Sequence, residues 1–490
     1  AEVILKQVLR VDTDNTNALK MLGLIKQQKG EFKKGEEYLE KAYEADTLDT
    51  QTLNNLALCY SNQGKITLAR ECLERAIEIK PDVSHYHNNL AIQYRHQGKL
   101  PAAKTRLQWS IDNVDDKNPL SWALLGGVHG QMKELDEAIN CLNAALSFPE
   151  EDWKDLPGSR EAANIDIFYA LSLQGKFNEA WKWYEHRFEC FEQIQMWSRL
   201  YGRKKQWDGT QDIKGKRILL YTEQGVGDAI HFARYIPYVK KEGAHVILHC
   251  SIELKSLLAP LVDETFILNP ESVTEDKLPE YDYQSSLMSL PYNFQNYTND
   301  DRAVPSITAP YLKVNKKATI ENYANCIKIG IAWAGSPMHP SDGERSCYLK
   351  EFQPLHDLPG VKLFSLQKDT RKRVRRHNDA EIDYSYGCEN MNIIDMAEYL
   401  TDFEATAAIV NELDLIITVD TSLLHLAGAI GKETWAMIPW NPDWRWKIKG
   451  DTTEWYDSVR LFRQEEHSMG WKQPIQDICE TLKKEKLCQQ

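Results

Sequence analysis

No stretch of the 490-residue chain approaches the run of about 18 apolar residues that a membrane-spanning helix needs, so no transmembrane segment is expected. Positive charge is also short: 59 Lys and Arg face 72 Asp and Glu, a net charge of -13. Phosphate backbones select basic surfaces, so bulk nucleic acid is not expected as a partner. The ten Cys are scattered with no Cys-x-x-Cys pair, which points to reduced thiols and away from a disulfide frame or zinc site. The chain opens Ala1-Glu2-Val3 with no charged-then-apolar leader, and the expected location is cytoplasmic. Also missing is an Asp-x-Asp at a strand end in the C-terminal two thirds: Asp12-Thr13-Asp14 lies early and Asp300-Asp301 falls in a loop. What is present, 42% hydrophobic and 27% charged residues, describes a globular chain. It is too long for one core, so two to four domains are expected.

Residues 1 to about 195 repeat themselves. Gly30, Gly64 and Gly98 recur at a step of 34, as do Leu22, Leu56 and Leu90, and Ala42, Ala76 and Ser110. A further step of 35 reaches Leu125 and Ala145, and a longer one gives a fifth unit with Ile167, Gly175 and Ala180. Small residues at fixed offsets and Gly between paired amphipathic helices resemble the tetratricopeptide repeat. Each pair buries its apolar face only against its neighbours. Ala1 to about Arg10 reads as a second helix without its first, so repeats are expected upstream of Ala1. Asn54, Asn55, Asn88 and Asn89 sit on first helices at matching offsets, and a carboxamide both donates and accepts, so they are candidates to clamp a peptide backbone. His85, His87 and His96 show no metal spacing and read as surface residues. The aromatic run Glu179–Phe188 and a turn-rich bridge, 196–216, close the array as a structural junction.

From Arg217 the period changes. Short apolar strands are expected at Ile218–Thr222, Val246–Cys250, Phe266–Leu268 and Tyr281–Gln284, with a helix from Ala229 to about Lys241. After a linker around Ser306–Asn325, a second series is expected at Ile327–Trp333, Lys362–Leu366, Asp414–Val419, Thr434–Ile438 and Val459–Phe462. Alternating strands and helices make parallel sheets covered on both faces. Two such halves, 217–318 and 325–485, would meet at a cleft outside the carboxyl ends of their strands.

The centre of the chain is Leu413–Gly431. A β-branched strand turns at Asp420-Thr421-Ser422 and continues at helical spacing through Leu423, Leu424 and His425. A strand feeding a helix start is either an ordinary buried unit or a donor-rich seat for a phosphate.

Five motifs in order, "YTEQGVGDAIHFARYIP", "IGIAWAGSPMHP…ERS", "FSLQK", "LDLIITVDTSLLHLAGAIGK" and "PWNPDWRW", resemble the bacterial tetratricopeptide-repeat glycosyltransferases. Their catalytic half is similar to the family nine heptosyltransferases, with the GT-B pair of Rossmann-like domains. The resemblance covers essentially the whole chain. It implies transfer from a nucleoside-diphosphate sugar, without metal or other cofactor and with inversion, to a protein or peptide presented by the array. It implies Asp228 as general base, a residue equally suited to a helix N-cap. His231, one helical turn on, is a candidate to assist the acceptor or else to cap or pack. Asp420, Thr421, Ser422 and His425 match the segment that holds the donor, although Ser422 replaces the family's Gly. Arg345, Gln367 and Lys368 complete the implied donor site. Two alternatives stay open: a non-catalytic scaffold with a nucleotide-binding or degenerate domain, and a transferase for a glycan or lipid-linked acceptor whose array serves docking or homo-oligomerisation. The basic run 371–376 reads as a solvated face. Trp333, Trp440, Trp444 and Trp446 suit stacking on a base or sugar, with half of them core.

Overall fold

A computed structural model describes residues 1–156, 158–190, 200–202, 205–267, 278–298, 309–321, 323, 325–337, 339, 341–368, 373–374, 381–382, 391–466 and 470–487. Asp300-Asp301, Leu268 and the side chains of the basic run lie outside them. The chain divides into two compact units at Ala170/Leu171.

The first unit is helical. After α1 (Glu2–Val11) come the pairs α2 (Thr16–Gln28) and α3 (Phe32–Ala45), α4 (Thr50–Asn62) and α5 (Ile66–Ile79), α6 (Ser84–His96) and α7 (Leu100–Asn113), and α8 (Pro119–Gln131) and α9 (Leu135–Leu146), then α10 (Ser159–Leu173). The repeating small residues Ala42, Ala76, Ser110 and Ala145 are all fully buried where paired helices meet. Gly30, Gly64 and Gly98 take φ of 71°, 74° and 71°, the left-handed conformation that ends each first helix. One step of 35 further on, Lys133 adopts the same turn at φ 63° with a side chain in place of glycine. First helices of neighbouring repeats approach one another more closely than second helices do, so the first helices line the inner face of the stack.

The second unit holds two all-parallel sheets. β1 (Arg217–Tyr221), β2 (His245–His249), β3 (Glu264–Phe266) and β4 (Tyr283–Ser286) pair in the order β3-β2-β1-β4. β5 (Ile327–Ala332), β6 (Val361–Ser365), β9 (Ile394–Asp395), β10 (Leu415–Val419), β11 (Thr434–Ile438) and β12 (Val459–Arg463) pair as β12-β11-β10-β5-β6-β9. A small antiparallel ribbon, β7 (Arg373–Val374) with β8 (Glu381–Ile382), stands apart. Counted from its own first strand, the larger sheet runs 3-2-1-4-5-6, the doubly wound order whose ligands lie where strand order reverses, here between β5 and β10. The central strands β10 and β11 read as nearly unbroken apolar runs because both faces are covered, whereas β4 is Tyr-Gln-Ser-Ser and β3 is exposed at Glu264. β10 and β11 are buried along their whole length.

The helix expected from Ala229 to Lys241 is instead three pieces: Val226–Phe232, a 3-10 turn Ala233–Tyr235, and Ile236–Lys241. Pro237 has no N–H to continue the first piece and restricts the residue before it. Among the described residues, no helix is long and apolar enough to cross a membrane.

Candidate functional site

The site forms where the two sheets' switch regions face each other. After β1 the chain runs through Glu223–Gly227 into the helix Val226–Phe232. After β10 it turns at Asp420 and Thr421 into the helix Ser422–Ala429. These helices pack together, and Gly227 sits at their closest approach. A Cβ there would lie 2.9 Å from His425 Cδ2 and 3.4 Å from the Ser422 Cα, so only glycine admits this approach.

Asp228 stands in the first turn of its helix with its side chain 22% exposed. Its Oδ2 accepts the Gly225 N–H at 3.0 Å, a helix-capping contact. Its Oδ1 accepts from Arg445 Nη2 of the other half. Arg445 is buried, lies 4.2 Å over the Trp444 ring, and donates through Nη1 to Asp443 at 2.9 Å. Asp443 also accepts the Arg445 N–H, which fixes the turn. The expected base is thus held by an arginine that sequence reasoning missed, although "PWNPDWRW" had marked its neighbourhood. Of the four tryptophans expected near the rim, Trp333, Trp444 and Trp446 are core, and Trp440 is half-buried.

At the other side, Arg345 donates from Nη1 to the Asp420 carbonyl at 3.2 Å and lies flat on Gly335, where a Cβ would come within 2.5 Å of Nη2. Asp420 is buried, and burial together with Asp443 pushes its pKa up to about 6 against the pull of Arg345. Thr421 is the N-cap residue of Ser422–Ala429 but makes no side-chain cap bond; its Oγ1 instead faces Thr418 Oγ1 at 3.4 Å. The helix start is therefore open to another acceptor. Lys368 is exposed.

Two expected site residues take other roles. Gln367 is buried with its amide clasping Ala334, accepting from its N–H and donating to its carbonyl at 3.1 Å each, so it pins the loop after β5. His231 is fully buried, 4.6 Å from the Trp455 ring. Its Nδ1 lies 3.0 Å from the Tyr456 hydroxyl, which also lies 2.9 Å from His425 Nδ1. Burial and the guanidinium groups of Arg234 and Arg445 hold His231 well below the usual histidine range; burial with Arg445, Arg234 and Arg345 does the same for His425.

Behind Asp228 stands the aromatic junction. Phe177 packs 4.9 Å from Trp455, and Trp181 meets Trp444 edge-on at 5.5 Å. Arg187 has no exposed surface; it donates to Glu223 at 2.9 Å, to Glu185 at 2.7 Å and to Ser289 Oγ at 2.7 Å. Phe177–Cys190 thus falls within the second compact unit, which begins at Leu171.

On the array, the four-asparagine ladder reduces to a pair. Asn89 Nδ2 donates to Asn54 Oδ1 at 2.7 Å between neighbouring first helices, both half-buried. Asn88 is buried and accepts from Ser121 Oγ at 2.9 Å, and Asn55 is buried too, its carbonyl accepting from Gln27. His87, expected on the surface, is buried with Nε2 2.8 Å from the Pro81 carbonyl.

Two tetratricopeptide repeat family models match the chain, one over residues 50–83 and one over 17–47 and 120–152. The N-terminal unit is therefore a tetratricopeptide repeat solenoid. A curated relative, Protein FlbA of Caulobacter vibrioides, is 26% identical over 380 residues, covering 71% of this chain and 59% of that protein. The chain thus spans about 59% of the length of that relative. Among solved structures, MamA is 24% identical over 37% of this chain and 93% of its own, with a TM-score of 0.29. The pilF protein of Pseudomonas aeruginosa is 20% identical over 39% and 81%, with a TM-score of 0.31.

Proposed function

We propose that the chain is a glycosyltransferase of the GT-B type, moving a sugar from a nucleoside-diphosphate sugar to a protein or peptide held by the repeat array, without a bound metal. The observation that carries this reading is the meeting of Asp228 with the uncapped start of Ser422–Ala429, flanked by Arg345 and Arg445. Asp228 would take the acceptor's proton as its oxygen or nitrogen attacks the anomeric carbon. The bond from that carbon to the diphosphate breaks, and the departing negative charge meets the N–H groups of Thr421 and Ser422, the Arg345 guanidinium and His425. The switch-point strand order supports a nucleotide between β5 and β10. The inner face of the solenoid supports a polypeptide acceptor, since the Asn54–Asn89 pair leaves the Asn54 carboxamide N–H groups and the Asn89 carboxamide oxygen to meet a peptide unit.

The test is incubation with a panel of nucleotide sugars, reading nucleoside diphosphate released. The reading falls if none is hydrolysed or transferred and Asp228→Asn changes nothing.

One observation favours a second reading, a non-catalytic scaffold. Both Asp228 oxygens are already engaged, by Gly225 and Arg445, as a structural brace would be. Thermal stabilisation by a nucleotide without any turnover would support that reading.

A further inference from the structure

We infer that a notch in the inner face of the repeat array, floored by Gly127 and walled by Arg95 and Asp166, clamps one main-chain peptide unit of a bound polypeptide. The side chains along that face break off there. First helices carry Leu58 and Ile92 at matching offsets, 34 residues apart, and the next step, of 35, falls on Gly127 in α8. Leu58 is 48% exposed and Ile92 is half-buried, so both cover surface that Gly127 leaves bare. One turn on, a Cβ at Gly130 would meet nothing within 4 Å, which lengthens the gap along the helix.

Two opposite charges face each other over this gap. A Cβ on Gly127 would stand 3.4 Å from Asp166 Oδ2, on α10, and 3.8 Å from Arg95 Nη1, on α6. The carboxylate and the guanidinium thus reach over α8 from the helices on either side. Among the described residues no hydrogen bond or ion pair closes between these two, and they attract each other only through space. A closed pair would hold the carboxyl below the usual aspartate range; instead burial pushes Asp166 up to about 6 against the pull of Arg95. Arg95 is held from the side, its Nε donating to Gln131 Oε1 at 3.3 Å.

An open pair of this kind selects its ligand by charge. A lone cation would be drawn to Asp166 and repelled by Arg95, and a lone anion the reverse. A neutral amide carries an N–H donor and a carbonyl acceptor side by side, so it satisfies both walls at once. The bare floor favours main chain over side chain, because glycine lets a second backbone approach closely. The Asn54–Asn89 pair, on α4 and α6, offers the same kind of contact on the same face. The inference rests on the reading of the inner face as a polypeptide site, and not on sugar transfer.

The test uses the full chain. Peptides selected on it from a random linear display library are measured by fluorescence anisotropy against the wild type, Gly127→Leu and Asp166→Ala. Each peptide is then remade with single N-methyl groups stepped along its backbone. Gly127→Leu should fold, since Leu58 and Ile92 hold the matching offsets and leucine suits a helix better than glycine. It should weaken binding by about 10–100-fold, the range expected for losing a hydrogen bond to a charged group. One N-methyl position should cost about 10-fold on the wild type and nothing on Asp166→Ala, where the lost N–H has no partner. That coupling decides the matter even if Gly127→Leu fails to fold. The inference is overturned if no peptide is selected, if Gly127→Leu binds the peptides as well as the wild type, or if the N-methyl cost persists in Asp166→Ala. It is also overturned if replacing an Asn or Gln side chain, and not N-methylation, removes the coupled contact. No nucleotide sugar enters the assay, so the clamp can stand while the transfer reading fails, and transfer that ignores the notch variants fails the clamp alone.

Discussion

Arg445, beyond β11, donates to Asp228, in the first turn of the helix after β1, a charge pair that ties one sheet's connections to the other's. The arrangement is asymmetric. The carboxylate comes from one half and is held in place by the other, while the donor-rich helix start and Arg345 belong to the second half alone. Under the proposed function, proton acceptance and leaving-group stabilisation are therefore separable by mutation.

Asp228→Asn keeps the shape of the carboxylate and its contact with Arg445 but removes the base. If the proposed transfer is correct, kcat falls by about 10²–10⁴-fold with little change in KM. Stability falls by only about 1–2 kcal/mol, because Asp443 still pairs Arg445 and Asp228 is partly solvated. Steady-state kinetics and a urea curve on one preparation check both. An unfolded variant, or one with unchanged kcat, sinks the catalytic assignment.

Gly227→Ala tests the close approach of the two helices. The added methyl would sit 2.9 Å from His425 Cδ2, on a ring stacked against Trp446, and 3.4 Å from the Ser422 backbone Cα. A loss of about 1–3 kcal/mol is expected, as for overpacking in a core. Gly130→Ala is the control, since a Cβ there meets nothing within 4 Å. Equal denaturation midpoints for the two variants would contradict the packing.

Asp420 gives a pH signature. Its folded pKa of about 6 lies above the ordinary aspartate value of 3.8 because burial and Asp443 disfavour the charged form. Between about pH 4 and pH 6 the folded state therefore binds more protons than the unfolded state, and this group's contribution falls as pH rises. The depressed His231 and His425 act in the opposite sense, their contribution being lost as pH drops below the unfolded histidine value of about 6.5. Comparing the wild type with Asp420→Asn cancels the histidines. The variant should gain relative stability as pH rises from 4 to 6.5, and parallel curves would show that Asp420 titrates normally.

Much of this was legible in the sequence. The 34-residue step located the helix pairs because each repeat must solve the same packing problem, and the strands of both halves appeared as short β-branched runs. The two-residue strands β7, β8 and β9 were too short to leave a period. The site was legible only where a motif is local. Asp228, Asp420, Thr421 and His425 follow strands directly, but Arg445 meets Asp228 from 217 positions away. Tyr456 joins two histidines 225 and 31 positions from it, and no spacing rule connects them. The asparagines misled for a related reason: an offset repeated by 34 shares a helix face only if the helices keep one rotation. Here Asn54 pairs with Asn89, 35 residues on, and Asn88 turns inward.

That rotation separates two asparagines by effect. Asn88→Ala removes the buried acceptor of Ser121 Oγ, for a loss of about 1–2 kcal/mol. Asn89→Ala, on the half-buried inner face, should stay within about 0.5 kcal/mol of the wild type. If the array presents the acceptor, Asn89→Ala also raises KM for the polypeptide and leaves donor hydrolysis unchanged. A variant that lowers both equally would place the acceptor elsewhere.

The boundary between the units predicts which truncations survive. A chain beginning at Leu171 retains Phe177, Trp181 and Arg187, all buried within the α/β unit. One beginning at residue 196 loses them, exposing Trp444 and Trp455 and leaving Glu223 buried without its guanidinium partner. An uncompensated buried charge alone costs about 3–5 kcal/mol, a large fraction of a domain's whole stability. The longer chain should therefore unfold cooperatively, and the shorter one should aggregate or melt at least 10 °C lower, on the order of what such a loss implies. Under the proposed function the longer chain also hydrolyses the donor while failing to modify a polypeptide acceptor. If the chain from residue 196 is as stable as the chain from Leu171, the aromatic junction is a linker and not a wall of the α/β unit.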